Sequence, residues 1–379
     1  MLNRPKIYFL TENLRTGGIQ RLLLDECYQL IEWGYQPKIT SLTQPVKNDS
    51  IVELDEGFEL LKLIDIEYLE PGKLQQINHF RRLIRKNSDL QVFVSHSVTG
   101  SVLARIGSLL SFRNIRIILN IHQLLTLSDR VQKLKRVIYS LSADRINFSS
   151  KQFQLDWEAE LKNHFILKRL LSNKFEFNRM GVYLPRLESL QYDKKNFCSA
   201  KVPHLIFLSR ISSWKGFSKF NEVTKGLKSS ELHAAAVTIF SDKKGYFDPS
   251  LFEDSYSHLA YNLSIAKLSL NPDSIHLYPS DYGSKVRFPQ SIGMNVLEMI
   301  SQGIPSLISK ENFESWPEFR NSQLIRIVDW TDISGVHRDI KKILTEPREA
   351  KLSETQKLRK VISIEKHCLD LLSQVRTIQ

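Results

Sequence analysis

The stretch FPQSIGMNVLEMISQGIPSLIS, Phe288–Ser309, decides the fold. It reads as the end of a loop, then a helix, then a buried strand. Gly293 opens the helical part, and Met294, Val296, Leu297 and Ile300 supply its apolar residues. Gly303 closes it and Pro305 blocks its continuation, the usual asymmetry of helix ends. The free N–H groups at the start of such a helix favour an anion such as phosphate. Inside it sits one acid, Glu298, and eight residues earlier an amide, Gln290. A carboxylate in the second turn suits the two hydroxyls of a ribose. Most helical Glu residues are plain surface groups, but the segment around this one is apolar.

Working outward, short apolar strands alternate with amphipathic helices. In this half they are HLIFLSR (His204–Arg210), a helix from about Lys215, then AAAVTIFS, SIHLYPS, the helix Gly293–Gln302, PSLIS and LIRIVDW. The first half repeats the pattern with KIYFL (Lys6–Leu10), PKITSLT, FELLKLI, LQVFVSH, IRIILNIH and DRINFSS. Its helices run over Gly18–Trp33, Lys73–Lys86, Val98–Leu110 and Arg130–Leu141. In the first of these, Ile19, Leu22, Leu23, Leu30 and Ile31 recur at helical spacing and Gly34 ends the run. The polar stretch from Arg186 to Val202 lacks a period and reads as a linker. The pattern predicts an α/β protein of two Rossmann-like domains facing a central cleft, with ligands at the carboxyl ends of the strands. The expected domains are residues 1–185 and 203–355, with a helical tail, 356–379, packing back on the first domain.

Bulk numbers agree with this class. A chain of 379 residues exceeds the size at which single cores stop growing. Apolar content of 42% and charged content of 25% are ordinary for a globular protein. No apolar run is long enough to span a membrane, and MLNRPKIYFL lacks the apolar core of a signal peptide. Cys27, Cys198 and Cys368 are odd in number and far apart, which reads as buried thiols in a reducing cytoplasm, with neither a disulfide frame nor a metal site. The net charge of +12 calls for an anionic ligand, membrane or polyanion, or is simply a basic solvated surface. No zinc-finger spacing, aromatic RNA-binding motif or basic tail supports nucleic acid.

Two further motifs carry chemistry. ENLRTGGIQR, Glu12–Arg21, follows the first strand and places Gly17 and Gly18 before a helix N-terminus. Glycines there admit a close backbone approach to a ligand. The spacing is neither the dinucleotide fingerprint nor a P-loop, and a plain strand-to-helix turn explains it equally well. SRISSWKG, Ser209–Gly216, lies at the corresponding place in the second half. Arg210 and Lys215 there can neutralise a diphosphate, or be two solvated cations beside a turn. His122, ending IRIILNIH, is on its own more simply a core histidine.

TGGIQRLLLDECYQLIEWGYQPKITSLT, NIHQ, ADRINFSS, HLIFLSRISSWKGF and SIGMNVLEMISQGIPSLIS fall in order along the chain. Together they resemble a family 4 glycosyltransferase of GT-B fold, of the type that builds bacterial surface polysaccharides. The resemblance covers most of the chain. It implies a retaining, metal-independent hexosyltransferase with no cofactor, which moves a sugar from a nucleotide diphosphate to an acceptor hydroxyl. It implies catalytic roles for His122, Arg210 and Lys215, the last two holding the donor diphosphate. It implies donor binding by Gly17, Gly18, Gln290, Gly293, Met294, Asn295 and Glu298, with Glu298 on the nucleotide ribose. The implied partners are a nucleotide sugar and a glycan or lipid-linked acceptor. The implied location is cytoplasmic, peripheral at the inner face of the membrane. HFRRLIRK (His79–Lys86) and VQKLKRVIY (Val131–Tyr139) offer cations for that anionic surface.

The sequence also departs from the family. Gln290 stands where the first Glu of the Glu, seven residues, Glu motif is usual. The dipeptide Pro279–Ser280 lies ten residues ahead of Gln290, so DYGSKVRFP reads as an inserted or remodelled loop, and an alternative is that its Asp281 folds back to supply the missing charge. Gln123 follows His122 where an acid is common. These changes bear on the donor sugar more than on the fold. Gln290 also admits a non-catalytic nucleotide-sugar or glycan-binding relative, and the fold admits a nucleotide-sugar epimerase.

Overall fold

The computed structural model describes residues 6–45, 50–122, 137–161, 171–189, 203–209, 215–227, 233–238, 256–261, 273–279, 292–310 and 316–376. The chain forms two compact units. The first comprises residues 1–52, 56–181 and 364–379, the second 53–55 and 182–363.

The first unit begins with β1 (Ile7–Thr11), α1 (Gly18–Glu32), β2 (Pro37–Ser41) and β3 (Asp65–Tyr68). It continues with α2 (Lys73–Lys86), β4 (Val92–Ser95), α3 (Val98–Leu110), β5 (Arg116–Ile121), β6 (Arg145–Phe148), α4 (Lys151–Leu161) and β7 (Phe175–Phe177). The strands form one parallel sheet in the order β3-β2-β1-β4-β5-β6-β7. Every residue of β1 and β4 is buried, as central strands covered on both faces require. Phe80, Phe93, Phe148 and Trp157 fill one side of the sheet.

The second unit holds α5 (Leu184–Ser189), β8 (His204–Leu208), α6 (Phe217–Gly226), β9 (His233–Thr238), β10 (Tyr256–Tyr261) and β11 (Ile275–Tyr278). Then follow α7 (Met294–Ser301), β12 (Ser306–Ile308), β13 (Ile325–Ile327), α8 (Ile333–Thr345) and α9 (Arg348–Ile362). Its parallel sheet runs β10-β9-β8-β11-β12-β13. A last helix, α10 (Ile364–Arg376), belongs to the first unit and packs on α1. Both sheets are Rossmann-like, and in each the strand order reverses beside the first strand. Those reversals, between β1 and β4 and between β8 and β11, are where ligands of such sheets bind.

The helix ends follow the glycines. Gly34 takes φ 76° after α1, its N–H reaching Ile31 O at 2.7 Å while that of Tyr35 reaches Leu30 O at 2.9 Å. Gly303 closes α7 in the same way. Two expectations need correction. FELLKLI is not a strand. Glu59–Leu63 is a 3₁₀ turn in which only the flanking Phe58 and Ile64 are buried, and Leu63 is 61% exposed. The strand beside β2 is the polar DIEY of β3, an edge strand held by β2 on one side and by Lys38 contacts to Asp65 and Glu67. The stretch from Arg186 does not begin as a linker, because Arg186 lies in α5 and is fully buried. The helical tail is two helices broken at Ser363, where ψ swings to 139°.

Candidate functional site

At the reversal of the second sheet, several groups converge. Gly293 caps α7 in an extended conformation. A Cβ there would lie 2.9 Å from Tyr278 Oη and 2.5 Å from Asn295 Oδ1, so the absence of a side chain lets the helix start close against Tyr278. Asn295 donates its side-chain N–H to the Leu208 carbonyl and ties the first turn of α7 to the end of β8. Lys215 Nζ lies 5.6 Å from the Tyr278 ring centroid, a cation–π distance. Gly216 takes the left-handed φ of 72°, and a Cβ on it would meet the Pro279 carbonyl oxygen at 1.8 Å. The N-terminus of α6 is thereby held against the end of β11. Glu298, 7% exposed, lies one turn deeper in α7. Arg186 Nη2 donates to its Oε1 at 2.5 Å, and the Arg186 side chain is fully buried. Glu298 is therefore an oriented, charge-paired carboxylate. Met294 is 4% exposed.

At the reversal of the first sheet, Glu12 and Asn13 follow β1, and His96 and Ser97 follow β4. Ser97 accepts from Gly100 N as the cap of α3 and donates to Glu12 Oε2 at 2.9 Å. Asn13 Oδ1 accepts from Arg15 N at 3.1 Å. Gly17 is extended, with φ −178°, so the turn there uses no conformation peculiar to glycine. Gly18 opens α1.

Below this rim lies a buried polar cluster. Glu26, fully buried in α1, receives His96 Nε2 at 2.8 Å and His367 Nε2 of α10 at 2.6 Å. His96 Nδ1 lies 3.0 Å from His122 Nε2. Burial alone would raise the Glu26 carboxyl. The two histidines against it, His96 first and then His367, outweigh burial and hold the group at about 2. Burial, with the neighbouring His96, pushes His122 down to about 3. His122 is therefore neutral near pH 7. Its enclosed Nδ1 has no hydrogen-bond partner among the described residues. Asn120, Asn147 and Gln374 continue the network, Asn147 exchanging bonds of 3.0 and 2.9 Å with Gln374.

The structure brings Lys215, Gly293 and Asn295 to the end of β8 and β11 in the second unit, with Glu298 further along α7. In the first unit Gly17 and Gly18 stand at the start of α1, and His122 follows β5 beside His96. Arg210, Gln290, Asp281 and Gln123 lie outside the described residues. The sequence reading missed Tyr278, Arg186, Glu26, His96 and His367. Glu26 carried a signal, since it falls on the stripe of Leu22, Leu23 and Leu30, where an acid is costly unless partnered. Tyr278 and His96 each stand at a strand end beside a sheet reversal. Arg186 and His367 carried none. Cys27 and Cys368 are free and buried, and burial raises both thiols well above their ordinary range.

No protein-family model and no curated protein sequence matches the chain. Solved structures do. A glycosyltransferase from Rickettsia africae is 16% identical, with a TM-score of 0.66 over 99% of both chains. HepE from Anabaena, solved with UDP-glucose, is 12% identical, with a TM-score of 0.66 over 98% of this chain and 99% of its own. A putative UDP-N-acetylglucosamine 2-epimerase from Listeria monocytogenes is 11% identical, with a TM-score of 0.59 over 99% of this chain and 96% of its own. At these identities the likeness is one of fold. The chain has the GT-B fold of two Rossmann-like domains over essentially its whole length.

Proposed function

We propose that the protein is a nucleotide-sugar glycosyltransferase of the family 4 type, retaining and metal-independent, acting in polysaccharide or glycolipid synthesis. One observation carries this reading. The reversal of the second sheet joins a helix N-terminus at Gly293, a cation at Lys215 and an aromatic at Tyr278, with the oriented carboxylate of Glu298 one turn beyond. Helix N–H groups and cations suit a diphosphate, and a carboxylate suits ribose hydroxyls. In this reading Arg210 and Lys215 hold the diphosphate and stabilise it as a leaving group. Gly293, Met294 and Asn295 present the first turn of α7, Glu298 takes the ribose, and Arg186 fixes the angle of Glu298. Gly17, Gly18 and His122 serve the sugar and the acceptor.

Charge-assisted contacts contribute about 1.5–3 kcal/mol each. Arg210→Ala and Lys215→Ala are each expected to weaken nucleoside diphosphate binding by about tenfold or more. Calorimetry showing unchanged affinity in both variants would remove the diphosphate assignment. An epimerase shares the fold, and product analysis separates the two readings, because a transferase releases nucleoside diphosphate and an epimerase returns an isomeric nucleotide sugar.

A cytoplasmic protein using a lipid-linked acceptor would rest on the inner membrane face. Among the described residues no helix is long and apolar enough to cross a membrane. The end of α3 exposes Leu109, Leu110 and Phe112, the last by 92%. Arg85 of the neighbouring α2 donates to the Leu110 carbonyl, and Arg82 and Lys86 are exposed on the same helix. Apolar side chains beside a helix carrying exposed cations suit an anionic lipid surface. The chain is expected to sediment with anionic but not neutral vesicles at low salt, and Phe112→Ser to reduce that recovery. Equal recovery with both lipids would contradict membrane docking. Most of VQKLKRVIY lies outside the described residues.

A further inference from the structure

The buried cluster in the first unit has a fixed hydrogen-bond order. His367 faces two acceptors, the Arg179 carbonyl at Nδ1 (2.7 Å) and Glu26 Oε1 at Nε2 (2.6 Å). With Glu26 ionised, both nitrogens of His367 carry protons. His96 Nε2 donates to the other oxygen, Oε2, at 2.8 Å. A second imidazolium on the same carboxylate would bury a net positive charge, which costs several kcal/mol. His96 is therefore neutral, protonated on Nε2, and its Nδ1 is an acceptor. That acceptor faces His122 Nε2 at 3.0 Å. The two rings lie 6° from parallel with centroids 5.1 Å apart. That separation is close to the N···N distance plus the two ring radii, so the rings are joined edge to edge in one plane, not stacked face to face. Asn120 Nδ2, 3.3 Å from His96 Nε2, is turned there because Asn120 Oδ1 accepts from Asn147. It is a second donor and makes no bond to that N–H. The nearby Cys27 and Cys368 thiols are kept neutral by burial.

We infer that Glu26 and His96 are positioning residues that hold His122 in its Nε2–H tautomer, so that its Nδ1 offers a lone pair to a hydroxyl of the sugar. The last clause rests on the transferase reading of His122. The enclosed Nδ1, without a partner among the described residues, is the atom left for that bond. His367 acts one step further back, since it fills Oε1 and turns Oε2 toward His96. The arrangement works through tautomer, not through a net charge at His122.

The test is long-range proton–nitrogen NMR of imidazole-labelled protein, with His122 assigned by its loss in His122→Gln. Wild type is expected to show a protonated Nε2 and a bare, pyridine-like Nδ1. A protonated Nδ1 would overturn the inference, and that readout needs no variant to fold. In Glu26→Gln the amide can accept from His96 and donate to His367, so the tautomer and sugar transfer are expected to stay within about threefold. In Glu26→Leu no acceptor remains. The His122 tautomers are then expected to mix and kcat to fall about tenfold or more, with nucleoside diphosphate affinity unchanged. A Leu variant that keeps both the wild-type tautomer and kcat would refute the positioning role. The NMR readout requires no substrate, so its failure is separable from a failure of the transferase reading.

Discussion

Replacing Arg186 by Met is expected to destabilise the second unit by about 3–5 kcal/mol. Arg186 is fully buried in α5, and its guanidinium lies 2.5 Å from a carboxylate oxygen of Glu298. The substitution leaves the Glu298 carboxylate buried without the Arg186 guanidinium that faces it. Glu298→Leu removes the carboxylate that faces the buried Arg186 and carries a similar cost. The double variant removes both charges at once and is expected to recover most of the loss, because an apolar pair can replace a buried ion pair at little net cost. Urea unfolding followed by hydrogen exchange in α7 peptides reads this. Two single effects that simply add in the double variant would show that the pair is not coupled. Nucleotide affinity separates structure from function. If Glu298 holds the ribose, the double variant recovers stability but not nucleotide binding.

Lowering the pH is expected to unfold the second unit through His276. This residue is fully buried in β11, its Nδ1 lies 3.0 Å from Ser306 Oγ, and its Nε2 has no partner among the described residues. Burial pushes it down to about 3 from an ordinary 6.5. As pH falls below 6.5 the unfolded chain takes up a proton that the folded chain refuses. Stability is therefore full above pH 6.5 and is lost as pH falls toward 3, at about 1.4 kcal/mol per pH unit. Between pH 6.5 and 4.5 the loss is about 2 kcal/mol. His276→Leu lacks the titrating group and is expected to lose that much less over the same range. Hydrogen exchange in β11 and β12 peptides resolves this from the parallel effect of His122 in the first unit. Identical pH slopes in wild type and variant would exclude His276 as the cause.

The fold was legible where strands are central. IYFLT, VFVS and HLIFL are buried on both faces, and such runs read as apolar from end to end. Edge strands were not legible, because β3 is polar and held from one side. The apolar FELLKLI drew the expectation of a strand away from it. Helix ends were legible because Gly34 and Gly303 adopt conformations that other residues resist. In the second unit, Lys215 and Gly293 could be named because each stands at the opening of a helix at a sheet reversal, and Glu298 because it is the one acid in the apolar run of α7. The Glu26 cluster was hidden, since its members come from α1, the residues just after β4 and β5, and α10, and only folding brings residue 367 to residue 26. Arg186 was hidden because it stands in a short helix ahead of a polar, aperiodic stretch.

The most direct test of the account is to incubate the pure protein with UDP-, GDP- and ADP-sugars and a mixture of lipid-linked and free glycan acceptors, with and without a chelator, following free nucleoside diphosphate and labelled sugar together. The account predicts that one donor class yields nucleoside diphosphate and glycosylated acceptor in equal amounts, with the anomeric configuration kept and no loss in chelator. It also predicts that Gln290→Glu, at the position where the family carries an acid, changes which sugar is preferred. No release from any donor, or a sugar isomerised while still attached to its nucleotide, would contradict it.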